Sequence, residues 1–223
     1  MRLRHVALLA VALVAAGCGS TQAGSGRATV WVTRDRGAHV LHVGKVPAGV
    51  SAMQAVTRLD KVETKFGGRY LRSVDGVAEH GRRAWFYYVN GYLADRASTD
   101  YRLHAGDVLW WDYRSWRDPA QDPVVVGAFP EPFLDGYAGT TRPAVVVARD
   151  RAAARKVARS LHARVASKPI PGADVLFLDG PGPLQFRALG AVPPGSSVRL
   201  RFTGDWHLLL RRPFPFRFRY TVP

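Results

Sequence analysis

Short apolar runs, separated by turn-forming pairs, dominate the chain between residues 27 and 117. Gly67-Gly68 and Asn90-Gly91 are two-residue hairpin signals, because both positions of each pair tolerate positive φ. Ser51 and Gln54 form a capping-box pattern ahead of apolar residues at helical spacing, so a short helix begins there. Extended segments are predicted over 27–33, 40–43, 62–66, 69–74, 84–89, 101–103 and 108–113. This pattern predicts an α+β, β-grasp-like domain, with one short helix on a small mixed sheet.

After residue 143 the pattern changes to strand, helix, strand. A strand with three consecutive valines is predicted over 143–148, Asp150 can cap an amphipathic helix from 151 to about 166, and 174–178 is again apolar. Such a unit predicts a parallel βαβ arrangement. Further strands are predicted over 184–189, 197–202, 206–210 and 214–220. The pattern therefore predicts a second small α/β domain with a β-rich C-terminus.

The N-terminus has the features of an export signal. Arg2 and Arg4 precede an apolar run of the length of a signal-peptide core, which ends in small residues before Cys18. This segment resembles the bacterial lipobox, and the resemblance implies cleavage before Cys18 and lipidation of that residue. An ordinary buried cysteine after a short core helix is the alternative. The predicted organisation is a signal peptide (1–17), a lipidated Cys and tether (18–26), a β-grasp domain (27–117), linker and loop (118–142) and an α/β domain (143–223).

Charge adds information about the surroundings in which the protein works. The chain has a formal net charge of +15, and removing Arg2 and Arg4 leaves 15 − 2 = +13. A cationic protein at the extracellular face of the cell membrane is held near anionic lipids or wall polymers. The export signal argues against nucleic acid as a partner, and the chain has no nucleic-acid-binding motif. With one cysteine, no disulfide within the chain is expected.

The aromatic stretch resembles a known family. Trp85-Phe86-Tyr87-Tyr88-Val89-Asn90-Gly91, followed by Tyr101, Gly106-Asp107, Trp111 and Tyr113, is similar to the transcobalamin-like C-terminal domain family over residues 27–116. Bacterial members of that family are lipoproteins or surface proteins. The resemblance implies a β-grasp fold and capture of a small molecule for uptake. Cobalamin, or another corrinoid, is the ligand it suggests, with a transporter component as a possible partner; no other cofactor is indicated.

Tyr87, Tyr88, Trp110 and Trp111 are the candidate ligand-binding residues. Aromatic residues are common in strands, so these four either fill the core or form a stacking platform for a planar ligand or a sugar. Adjacent strand residues point to opposite faces, so at most one tryptophan of the 110–111 pair faces the helix. The other needs a second layer, a ligand or the second domain to cover it.

Other candidate chemistry is weaker. Arg217 and Arg219 alternate with aromatic residues and are candidates for binding an anionic polymer, although a solvated face is the alternative. His39 and His42 lie in a predicted strand and turn, without accompanying ligands, so no metal site is expected. Gly180 to Pro183 favours a turn, since proline removes N–H donors. No catalytic motif is found, and a non-enzymatic binding protein is predicted. An envelope interaction module is the alternative, and an envelope hydrolase is a third possibility.

Overall fold

The computed structural model describes residues 26–117 and 122–223. The predicted signal peptide, Cys18 and most of the tether lie outside the described residues, as do residues 118–121 of the predicted linker. The elements of the first half are β1 (Arg27–Arg34), β2 (His39–Pro47), α1 (Ala52–Thr57), β3 (Val62–Lys65), β4 (Tyr70–Val74), β5 (Val77–Ala78), β6 (Arg83–Val89), β7 (Tyr92–Leu93) and β8 (Val108–Ser115).

The first half forms a five-stranded mixed sheet in the order β2-β1-β8-β6-β7, beside a small β3-β4-β5 sheet. β1 and β8 are parallel, and the other neighbours in the larger sheet are antiparallel. Helix α1 buries Ala52, Met53, Ala55 and Val56 in the core. The predicted single short helix on a mixed sheet is therefore confirmed.

Local signals explain where α1 begins. The Ser51 hydroxyl accepts a hydrogen bond from Gln54 N at 3.1 Å, and Gln54 Oε1 accepts one from Ser51 N at 2.9 Å. This is the predicted capping box, and it satisfies two backbone donors that the first helical turn leaves without partners.

The second half forms another five-stranded sheet in the order β10-β9-β11-β13-β12. Its elements are β9 (Ala144–Ala148), α2 (Arg151–Ser160), β10 (Arg164–Ala166), β11 (Asp174–Leu178), β12 (Gln185–Ala188) and β13 (Arg199–Thr203). The predicted parallel pairing of the first two apolar strands is confirmed, with Val146 opposite Leu176. Strands β10, β9, β11 and β13 are parallel to one another, and β12 is antiparallel to β13.

The second helix is shorter than predicted. It ends at Ser160, and His162 then adopts a φ of +50°. The next residues pair with β9, so that Val165 lies opposite Val146. A β-branched residue gains packing in a parallel sheet that a last helical turn would not provide, and residues 164–166 form a strand instead.

Two predicted C-terminal strands are wrong. Trp206–Leu210 is a 3-10 helix, begun by Asp205, whose carboxylate accepts a hydrogen bond from His207 N at 3.0 Å. Residues 214–220 run through turns, and Phe218 has a φ of +64°. Proline residues lack the N–H that a ladder requires, so Pro213 and Pro215 oppose strand formation here.

The segment that composition marks as linker and loop contributes to the core. Val124, Val126, Phe129 and Phe133 are buried in one apolar cluster that also contains residues of both halves. Part of this segment is a 3-10 helix, Val126–Ala128. The two sheets therefore share a continuous core across the described residues. Within 26–117 and 122–223, no helix has the length and apolar character needed to cross a membrane.

Candidate functional site

The aromatic pair on β8 faces two different parts of the protein. Trp111 belongs to the cluster that contains α1, and its ring lies 4.9 Å from that of Tyr87. Trp110 belongs to a separate cluster on the other face, with its ring 5.9 Å from that of Tyr88. The four predicted ligand-binding residues thus form two pairs on opposite faces, as the alternation of a strand requires.

Residues near the C-terminus cover Trp110. The Tyr220 ring meets the Trp110 ring edge-on at 5.2 Å, and Phe218 lies 4.7 Å from Trp31 in the same layer. Trp110 and Trp111 are 0% and 3% exposed. Residues of the C-terminal half therefore cover the second tryptophan. Tyr87 remains half-buried, with its hydroxyl donating to Arg96 O at 2.5 Å.

A buried carboxylate joins this tail to the first sheet. Asp112 is 0% exposed and accepts hydrogen bonds from Thr33 Oγ1 at 2.5 Å, Gly37 N at 3.2 Å and Tyr220 Oη at 2.8 Å. The Thr33 hydroxyl in turn accepts a bond from Trp110 Nε1 at 2.7 Å. Sequence reasoning missed this network, since its partners are up to 108 residues apart.

The remaining predicted side chains do not converge on one site. Arg217 and Arg219 are exposed on the C-terminal tail. The tail runs through turns and is not a strand, so the two side chains do not form the predicted basic strand face. His39 contacts Asp35 at 3.2 Å, whereas His42 contacts Asp60 at 3.1 Å. Within the described part of the chain, no group of three or more His, Cys, Asp or Glu side chains is placed to hold a metal ion.

The second sheet contains a crevice at the carboxyl ends of its parallel strands. From β9 the chain passes through α2 to β10 on one side, whereas from β11 it continues to β12 and β13 on the other. Ligands in open α/β sheets bind at such a reversal of strand order, outside the carboxyl ends. A cavity of about 650 Å³ lies there, and Asp150, Asp179 and Asp205 line it after β9, β11 and β13.

Each of these carboxylates has a defined role. Asp150 caps α2 by accepting hydrogen bonds from Ala152 N at 2.8 Å and Ala153 N at 3.0 Å. Asp179 lies 3.5 Å from Arg201 Nε. Asp205 is exposed and accepts from His207, and these hydrogen bonds lower the pKa of its carboxyl, so it is ionised at neutral pH.

An indole and a short loop complete the crevice. Trp206 lies on the wall, with His207 stacked at 3.7 Å and Lys156 Nζ 5.4 Å from its ring centre. The loop from Gly180 to Gly182 forms another side. Acceptor oxygens beside an apolar ring suit a small molecule that carries hydroxyl or ammonium groups, since those groups donate and the ring packs on carbon.

Comparisons with known proteins cover part of the chain. A family model described as a domain of unknown function (DUF4430) matches residues 49–115. Haptocorrin in complex with Cbi is 13% identical, with a TM-score of 0.34; the match covers 41% of this chain and 26% of that chain. A protein from Ruminococcus gnavus, to which metal binding has been attributed, is 16% identical, with a TM-score of 0.34; the match covers 40% of this chain and 97% of the other. No curated protein matches the sequence. The match to DUF4430 extends from the residues before α1 to the end of β8.

Proposed function

We propose that this chain is a non-enzymatic binding protein, anchored through a lipid on Cys18 at the extracellular face of the cell membrane. It captures a small molecule in the crevice at the carboxyl ends of β9, β11 and β13. The observation that carries the proposal is the position of this cavity of about 650 Å³ where the strand order reverses. Its volume lies within the range of small-molecule sites.

The charges and the aromatic ring of the lining indicate which class of ligand the crevice would bind. The lining carries three carboxylates and one cation, Arg149, beside the indole of Trp206, and this excess of negative charge favours a neutral polyhydroxylated molecule or a cation over an anion. A corrinoid is the specific candidate suggested by the resemblance to transcobalamin-like domains. Delivery to a transporter component would follow capture, because a protein anchored by a lipid stays beside the membrane.

Calorimetric titration of the purified protein with a panel of sugars, polyamines and cobalamin tests the crevice. Trp206→Ala should abolish binding of any ligand that the wild type binds, and Asp179→Asn should weaken binding of a ligand that donates hydrogen bonds. Trp116→Ala is the matched control, since Trp116 is 57% exposed and lies outside the crevice. Equal affinities of wild type and Trp206→Ala would exclude this site. An unchanged cobalamin absorbance spectrum at millimolar ligand would exclude the corrinoid.

The anchor has a separate test. Cys18→Ala should move the protein from the membrane fraction to the soluble fraction of cells that express it, because the lipid can no longer be attached. Cys18→Ser is the closer isostere and should behave in the same way. Tight membrane retention of both variants would show that another feature holds the protein at the membrane.

A further inference from the structure

A second cavity lies where the first sheet meets the C-terminal tail. It has a volume of about 470 Å³ and is remote in sequence from the strand-end crevice. β1 and β2 form one wall, and residues 128–131 and 212–217 form the other. Because both halves build it, we call it the inter-half crevice.

Aromatic rings supply the apolar lining of the inter-half crevice. Trp31, Phe129 and Phe214 line it, and the rings of Phe129 and Phe214 lie 5.1 Å apart. These rings are largely buried, so they present fixed edges and not mobile surface groups. A planar apolar body could pack against them.

The charged lining is cationic. Lys45, Arg212 and Arg217 line the inter-half crevice. Arg212 donates to Leu209 O at 3.0 Å and to Arg211 O at 2.9 Å, which holds its guanidinium in place. Within residues 26–117 and 122–223, no carboxylate forms an ion pair with Lys45 or Arg217.

The one acidic side chain of the lining does not cancel this charge. Glu131 is buried, and its Oε2 accepts a hydrogen bond from Asp135 N at 2.7 Å. Burial raises the pKa of Glu131 to about 8, so the carboxyl is mainly protonated at pH 7. The inter-half crevice therefore has an excess of positive charge at neutral pH, in contrast to the carboxylate-lined crevice of the second sheet.

We propose that the inter-half crevice binds an organic anion with a planar apolar body, whose anionic group contacts Lys45 and Arg217 while its body packs on Trp31 and Phe214. This proposal is independent of the function proposed above, because the two cavities share no lining residue. It also gives Arg217 a role that its neighbour Arg219 lacks, since Arg219 does not line the crevice.

Calorimetric titration with 2-naphthoate and with the uncharged 2-naphthalenemethanol separates the two parts of this recognition. At pH 7 the purified protein should bind the naphthoate at least about tenfold more tightly, because hydrogen bonds to charged groups add affinity. Replacing both cations (Lys45→Gln with Arg217→Gln) should lower naphthoate affinity about tenfold or more and leave the uncharged probe unchanged. Arg219→Gln removes the same charge two residues away and should change the affinity less than about twofold, since exposed charges are screened.

The location of the probe is read independently from the indole N–H signals in a two-dimensional NMR spectrum. Naphthoate should shift the Trp31 signal and leave the Trp206 signal unchanged. Lys45 and Arg217 are exposed, so the double variant should keep the unfolding midpoint of the wild type. Absence of naphthoate binding, equal affinity for both probes, or as large a loss of affinity in Arg219→Gln as in the double variant would each overturn the proposal. A shift at Trp206 alone would do so too, and would place the anion in the strand-end crevice.

Discussion

The hydrogen bond between Tyr220 and Asp112 should contribute measurably to the free energy of unfolding, because it holds the C-terminal tail on the first sheet. The Tyr220 hydroxyl donates to Asp112 Oδ2 at 2.8 Å, and the Asp112 side chain is fully buried. Burial, together with the neighbouring Tyr88 and Asp112, raises the pKa of Tyr220, so its hydroxyl keeps the donated proton. Tyr220→Phe removes this donor and retains the ring that covers Trp110.

The magnitude follows from the charge of the acceptor. A hydrogen bond to a charged group contributes about 1.5–3 kcal/mol, whereas a neutral one contributes about 0.5–1.5 kcal/mol. Tyr113 offers a matched comparison, because its hydroxyl donates to Ala78 O, also at 2.8 Å, and its side chain is equally buried. Tyr220→Phe should therefore lower the free energy of unfolding by about 1 kcal/mol more than Tyr113→Phe does.

Urea unfolding at pH 7, followed by tryptophan fluorescence, measures both free energies, and the linear extrapolation requires the denaturant slope to stay constant. A double-mutant cycle with Asp112→Asn isolates the coupling between the two side chains. A loss for Tyr220→Phe that is equal to or smaller than that for Tyr113→Phe would refute the view that the buried carboxylate fixes the tail.

Three further substitutions test other parts of the fold. Burial raises the pKa of Glu131 from 4.5 to about 8, so the wild type should lose stability as pH rises through this range. Glu131→Gln should lack this loss in urea unfolding at pH 5 and 8.5, and an unchanged pH dependence would contradict the assignment. Gly37→Ala should lower the melting temperature more than Gly49→Ala does. Both glycines have positive φ, but only at Gly37 would an added Cβ lie 1.7 Å from a backbone atom, Phe218 O. Equal shifts in melting temperature would show that the tail moves freely. Ser51→Ala should cost about 0.5–2 kcal/mol in the same unfolding assay through loss of the helix cap, and no loss would mean that α1 does not depend on it.

The first half was predictable because its signals are local. Ser51 and Gln54 form a capping box within four residues, and Asn90-Gly91 joins β6 to β7 as a two-residue turn. Asn90 has a φ of +50° and Gly91 one of +85°, the backbone that this pair tolerates. Such features need no knowledge of distant residues, so pattern alone placed the helix and most strands.

The C-terminal errors arose because tertiary contacts decided the backbone there. Alternating aromatic and basic residues over 214–220 satisfied the pattern of a strand, and Phe214 and Tyr220 are indeed buried while Arg217 and Arg219 are exposed. The same inside–outside division is achieved by turns, with Phe218 at positive φ. Periodicity reports which side chains are buried, and the backbone that buries them depends on what they pack against.

The strand-end crevice could be anticipated only in part. Asp150 and Asp179 each follow a predicted strand, and the predicted parallel pairing brings such residues to one edge of the sheet. The sequence did not predict that Asp205 lies beside them. Its position depends on the parallel pairing of β13 with β11, whose partner residues are 24 positions apart in the chain. The sequence therefore predicted a ligand site where aromatic residues are most frequent, whereas in the structure these rings pack against one another. Trp110 is an example, because Tyr220 packs against its ring on the face of the sheet opposite α1. The two cavities lie elsewhere, at the strand ends and between the halves. Charged and aromatic residues that are distant in sequence meet there.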